Sequence, residues 1–221
     1  MPALSHPAPG DPSGPGDERT GRSRSGGSRN LRFLRDVVII VVAALLVSFV
    51  VKAFVIRSFF IPSGSMENTL QVNDRVIVNE LVPKVFGLER GDVVVFEDPG
   101  GWIGATGKND LIKRVIGLPG DHVSCCDAGG HVVVNGAALD EPYAIYSGGP
   151  AERSRKSFDV TVPAGQVWVM GDNRGNSADS RFHGTVPESD VIGRAFVISW
   201  PVSRWSWLGR FPDTFADVPK P

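Results

Sequence analysis

Asp110–Asp121 reads DLIKRVIGLPGD, and the reading of this run decides the fold. Leu111, Ile112, Val115 and Ile116 form a short apolar stretch closed by Gly117, Pro119 and Gly120. Such a run, rich in β-branched residues and bounded by turn formers, is read as a strand. The same pattern recurs in RVIVNEL (75–81), GDVVVFEDP (91–99), HVVVNGAAL (131–139), SFDVTVPAGQVWVMGD (157–172) and GRAFVISW (193–200). Gly, Pro, Asn and Asp separate these runs, and Asn135-Gly136 is a hairpin signal. No amphipathic helix lies between them, so βαβ units are excluded and a mainly β, antiparallel sheet domain is expected. One detail disturbs the pattern: Lys113 and Arg114 stand side by side inside the apolar run. Neighbours on a strand face opposite ways, so one of the pair must point inward or the strand must lie at an edge. Lys113 is either an edge solubiliser or a buried amine, and the pattern leaves both open.

The chain has 221 residues, 42% of them hydrophobic, with a net charge of -1. That is room for one domain with appendages, and it carries no overall field that would attract nucleic acid. Of residues 1–30, 16 are Pro, Gly or Ser, a composition that cannot bury a core. Residues 19–35 carry six arginines, at 19, 22, 24, 29, 32 and 35. Val37–Ile56, VVIIVVAALLVSFVVKAFVI, is interrupted only by Ser48 and by Lys52 near one end. At about 1.5 Å per residue it spans roughly 30 Å, the thickness of the bilayer hydrocarbon. It is read as an uncleaved transmembrane helix. The arginines before it place the N-terminus in the cytoplasm and residues 57–221 outside.

Just beyond this run lies IPSGSMENTL, Ile61–Leu70, with two serines and no histidine nearby. A serine attacks only when a base takes its proton. His6, His122, His131 and His183 are the available histidines, but no Gly-x-Ser-x-Gly elbow presents a serine to them. Lysine is the other candidate base, provided that burial lowers its pKa. Lys113 is the lysine with apolar neighbours; Lys84, Lys108, Lys156 and Lys220 lie in loops, polar runs or the tail. Cys125 and Cys126 are adjacent, too few for a metal site. They are read first as free or partly buried thiols, with a vicinal or intermolecular disulfide as the alternative. YSGGPAERSRKS (146–157) is read as a mobile loop.

IPSGSMENTL, RGDVVVF, KRVIGLPGD and GDNRGNSADSR, in that order after an apolar anchor, resemble the boxes of bacterial type I (leader) signal peptidases. The resemblance runs from about Val37 to Trp200, and the aromatic C-terminus is similar to actinobacterial members. It implies a Ser–Lys dyad in which Ser65 is the nucleophile and Lys113 the general base. Ser63, with the Ser65 N–H, matches the oxyanion hole. Ser177 matches a serine that orients the lysine, and Asp179 and Arg181 match a supporting ion pair. Asp172, Asn173 and Arg174 match residues that shape the site. Phe59, Ile61, Met66, Leu70 and Ile112 match positions that line the substrate pockets. The implied reaction is cleavage of signal peptides from exported preproteins, with no metal or organic cofactor. Two departures stand out: the run from Gly120 to Tyr143 is short, so a large accessory subdomain is not expected, and the cysteines are not a separated pair.

The expected organisation is a disordered arginine-rich cytoplasmic tail (1–36), a transmembrane helix (37–56), an extracytoplasmic catalytic β domain (57–201) and an aromatic tail (202–221). The expected setting is single-pass in the plasma membrane. Expected partners are signal peptides of preproteins, the phospholipid membrane and the secretion translocon. A non-catalytic anchored β domain and a self-cleaving Ser–Lys protease are the rival readings.

Overall fold

In the computed structural model, residues 26–104, 109–146 and 156–221 are described, without the side chains of 26–30 and 50–54. The expected tail over 1–25 and most of the expected mobile loop lie outside the described residues. The chain divides into two units, residues 1–46 and 47–221. Helix α1, Gly26–Phe54, is longer than the expected span at its start and two residues shorter at its end. It therefore takes in residues 26–36, which composition had assigned to a disordered tail. All described side chains of α1, residues 31–49, are exposed. Among the described residues no helix is long and apolar enough to cross a membrane; the expected span over 37–56 lies partly outside them, at 50–54.

The rest is antiparallel β, as the runs of Val and Ile require. The strands are β1 (Ile56–Phe60), β2 (Arg75–Asn79), β3 (Val93–Glu97), β4 (Asp110–Gly117), β5 (His122–Cys125), β6 (Val132–Val134), β7 (Ala137–Ala138), β8 (Phe158–Thr161), β9 (Gln166–Met170), β10 (Val186–Pro187), β11 (Val191–Trp200) and β12 (Ser206–Trp207). The larger sheet has the order β1-β2-β11-β3-β4-β9-β10, with β12 on β11. The smaller has the order β7-β6-β5-β8. Between β6 and β7, Asn135 and Gly136 take positive φ values of 49° and 83°, the tight hairpin turn that this dipeptide favours. Ile56, assigned to the helix on hydropathy, opens β1 instead, in register with Asn79.

β4 is the key strand. It lies between β3 and β9, far from either edge, and is buried from Leu111 to Gly117. Lys113 and Arg114 are therefore both enclosed, at 3% and 0% exposure. Local alternation alone did not show that both faces are covered. The cover over Arg114 comes from the C-terminal tail: Gly209 O accepts from Arg114 Nη1 at 3.0 Å, and the Phe211 ring lies 5.2 Å from the guanidinium carbon. Phe215 and Val218 then enter the core beside Ile116, Trp168 and Met170. Trp200, Trp205 and Trp207 stay exposed, so the aromatic tail is half cover and half surface.

Arg114 is fully paired. Its Nε and Nη2 donate to the Asp172 carboxylate at 2.9 and 2.7 Å, its Nη1 donates to Gly91 O at 2.8 Å, and Tyr143 stacks 4.2 Å from its guanidinium carbon. Removing one partner strands a buried charge. Arg114→Ala is expected to cost about 3–5 kcal/mol of folding stability, read in a denaturant melt; a loss under about 1 kcal/mol would show that the pair is solvated and dispensable.

Candidate active site

Ser65 sits in a single 3-10 turn, Gly64–Met66, entered from an extended Ser63. Sequence fixes this turn from both sides. Met66 closes it and Leu70 follows, and both are completely buried with Ile61, Val76 and Val78. Leu70 N donates to Met66 O at 2.7 Å, and Glu67 N to Gly64 O at 3.1 Å. Asn173 ties the turn to the segment after β9: its N–H donates to Ser65 O at 3.1 Å and its Nδ2 to Gly64 O at 3.1 Å.

Lys113 reaches this turn from β4. Its Nζ donates to Ser65 Oγ at 2.7 Å and to Ile112 O at 2.9 Å. Ser63 Oγ lies 3.4 Å from Ser65 Oγ. Burial disfavours the ammonium and lowers the Lys113 pKa to about 8, even though Asp179 and Asp172 pull it upward; Arg181 adds to the lowering. Removing water is thus the dominant influence. A small proton loss leaves a neutral amine whose lone pair faces a hydroxyl, the arrangement of a base and its nucleophile.

The two nearby acids are each claimed by an arginine. Asp172 takes Arg114 as above and also accepts from Thr69 Oγ1. Asp179 accepts from Arg181 Nε and Nη2, both at 2.8 Å, and from Gly171 N at 3.0 Å. Burial would raise the Asp179 pKa, but the Arg181 pair and the Gly171 N–H outweigh it and hold the carboxyl low. Arg174 donates through both terminal nitrogens to Glu141 at 2.7 Å, with both side chains buried. Arg181 Nη2 closes the ring by donating to Arg174 O at 2.8 Å.

The remaining expected residues divide. Phe59, Ile61 and Ile112 line a cleft of about 120 Å³ with Ser63, Val95 and Lys113. Met66 and Leu70, expected in that wall, have no exposed surface and support it from behind. Ser177 was expected to hold the lysine, but the Lys113 amine takes Ile112 O instead. The Ser177 Oγ is buried beside Asp179 and helps to hold that carboxyl low. Gly171, which hydropathy and spacing did not single out, is tightly enclosed: a Cβ there would collide with Ser177 and with Ser65 O. Its only sequence signal was its place directly before Asp172. Glu141 gave no signal at all. Cys125 and Cys126 are joined to each other, with Cα atoms 3.0 Å apart; this replaces the free-thiol reading.

Residues 34–200 match the family described as "Signal peptidase, peptidase S26". The Probable signal peptidase I-2 of Synechocystis is 42% identical over 168 residues, covering 74% of this chain and 72% of that protein. The Signal peptidase I of Mycobacterium tuberculosis is 36% identical over 219 residues, covering 78% and 74%. The Signal peptidase IB of Staphylococcus aureus is 33% identical over 187 residues, covering 79% and 93%. Family match and relatives extend over both the serine turn and the lysine strand, and the chain belongs to the signal peptidase family, peptidase S26.

Proposed function

We propose that this protein cleaves signal peptides from exported preproteins, with Ser65 as nucleophile and Lys113 as general base. The observation that carries the reading is a lysine amine at 3% residue exposure, 2.7 Å from a serine hydroxyl. The neutral amine takes the Ser65 proton as Oγ attacks the scissile carbonyl. The Ser63 hydroxyl and the Ser65 N–H are the donors for the oxyanion that forms. The protonated lysine then gives its proton to the departing amine, and water, deprotonated by the same lysine, releases the acyl group. Asp172, Asn173 and Arg174 hold the two segments together, and Asp179 with Arg181 braces the loop behind the lysine; Ser177 is assigned to lysine orientation once substrate closes the site. The small cleft beside Ser63 suits Ala-like side chains before the cleavage point.

The setting follows from the N-terminal segment. The apolar helical run that begins at Val37 anchors the chain in the plasma membrane in a single pass, with residues 1–36 cytoplasmic, the β domain that begins with β1 extracytoplasmic and 202–221 its covering tail. Supporting this, residues 37–49 are apolar except for Ser48 and lie exposed, a surface that water does not tolerate at that size. Nine residues separate Ile56 from Ser65, at most roughly 30 Å of chain, so Ser65 works close to the outer surface, where a translocated preprotein presents its cleavage site. The translocon is the expected neighbour there.

Preprotein processing by purified variants tests the dyad. Ser65→Ala and Lys113→Ala are each expected to lower the rate by roughly 10³-fold or more, and Ser63→Ala by about 10²-fold; parent-rate cleavage by either of the first two would end the dyad reading. Since the base is the neutral amine, kcat/KM should rise with pH and reach half its plateau near pH 8, the Lys113 value; a profile flat from pH 6 to 10 contradicts it. Stability carries the same signature. The folded state holds Lys113 less basic than the unfolded chain, so the buried ammonium costs stability below about pH 8, and the cost fades as pH rises toward the unfolded value of about 10.4. Lys113→Met should therefore abolish cleavage yet melt higher than the parent at pH 7, with the gap shrinking at pH 10. An inactive variant that melts lower at pH 7 would point to a structural lysine.

A further inference from the structure

Glu67 lies two residues past Ser65 but does not line the cleft. Its carboxylate folds back over Gly64, where a Cβ would meet Glu67 Cδ and Oε1 at 2.9 Å. Asn173 Nδ2 donates to Glu67 Oε2 at 3.2 Å while also holding Gly64 O. Oε1 has no hydrogen-bond partner among the described residues, and the side chain is partly exposed. A clamped carboxylate with one open oxygen therefore stands beside the nucleophile. It does not serve the base: the charged groups that act on Lys113 are Asp179, Asp172 and Arg181.

The reaction leaves one product for such a group. If the cleft holds the acyl side of the substrate, the chain beyond the scissile bond must pass over the part of the turn that does not line the cleft, which is Gly64 and Glu67. We propose that Glu67 receives the new N-terminal amine of the released mature chain. The inference rests on the Ser65–Lys113 reading. When the Ser65 Oγ–carbonyl bond forms and the C–N bond breaks, the proton from Ser65 reaches the leaving nitrogen through Lys113, giving a neutral amine. An α-amine has a pKa near 8, so it takes a further proton from water and becomes an ammonium. A carboxylate attracts that ammonium and a charge-assisted hydrogen bond holds it. Capture moves the amine off the acyl carbon, so water, not the returning amine, meets the acyl-enzyme. Glu67 is a positioning residue for the leaving group, and its ligand class is any peptide with a free N-terminus.

Binding by calorimetry to full-length Ser65→Ala protein tests this without turnover. The probes are a short peptide of mature-chain sequence with a free N-terminus and its N-acetylated twin. The free amine should bind about tenfold more tightly at pH 7, and the advantage should fade above pH 9 as the amine loses its charge. Glu67→Gln, added to Ser65→Ala, keeps an oxygen for Asn173 and should abolish the advantage, while Glu67→Asp should retain part of it. Equal binding of the two peptides to the Ser65→Ala protein, or an advantage unchanged in Glu67→Gln, overturns the proposal. Because binding is read in an inactive protein, a failed processing test of the dyad and a failed test of Glu67 give separate results.

Discussion

An amine can be a base at neutral pH only if it is kept dry, and the Lys113 amine in the middle of this molecule is kept dry. Lys113 sits on the strand with the most cover, between β3 and β9. Its amine reaches Ser65 Oγ at 2.7 Å and otherwise bonds the Ile112 carbonyl. Placing it at an edge would have left the ammonium hydrated and the pKa near that of free lysine. The central position also explains why the serine turn is built on Met66, Leu70 and Ile61, which bring no polar group to the buried side.

Acids close to such a lysine would undo the effect of burial, because they favour the ammonium. Asp172 and Asp179 do pull in that direction. Each is held by an arginine, Arg114 and Arg181, in a buried pair. The pairing lets the motif after β9 keep its carboxylates as scaffolding, binding backbone N–H groups and fixing loops, while most of their field is spent on the guanidinium. Arg174 with Glu141 extends the same scheme to the segment before β8. The result is a ring of neutralised ion pairs around a single uncompensated amine, and Asn173 ties the serine turn to it.

Much of this was legible in the residues. The period and turn chemistry of the Val-rich runs gave the antiparallel sheet, because each run is short and bounded by Gly, Pro or Asn. Lys113 was visible as a lysine set among Leu111, Ile112, Val115 and Ile116. What stayed hidden depended on distant segments. Arg114 is buried because residues 209–211, about 95 positions later, fold over it. Local periodicity carries no information about such cover. Glu141 is an acid in a loop until Arg174 is placed beside it. Ser177 matched a family motif, yet its hydroxyl packs on Gly171 and acts on the Asp179 carboxyl, whereas the Lys113 amine uses a main-chain carbonyl that no motif displays. The start of α1 was misread because Gly and Ser composition signals a free chain, while the helix extends back to Gly26 from the apolar run.

The central claim is that burial lowers the Lys113 pKa far enough for the neutral amine to be within reach near neutral pH. The direct measurement is a nitrogen-15 NMR titration of the Lys113 Nζ in selectively labelled protein, with Lys113→Met used to assign the signal. A midpoint near 8 is expected from its burial. A midpoint at or above 10 would mean that the amine stays charged beside Ser65, and a base in this site would have to be sought elsewhere.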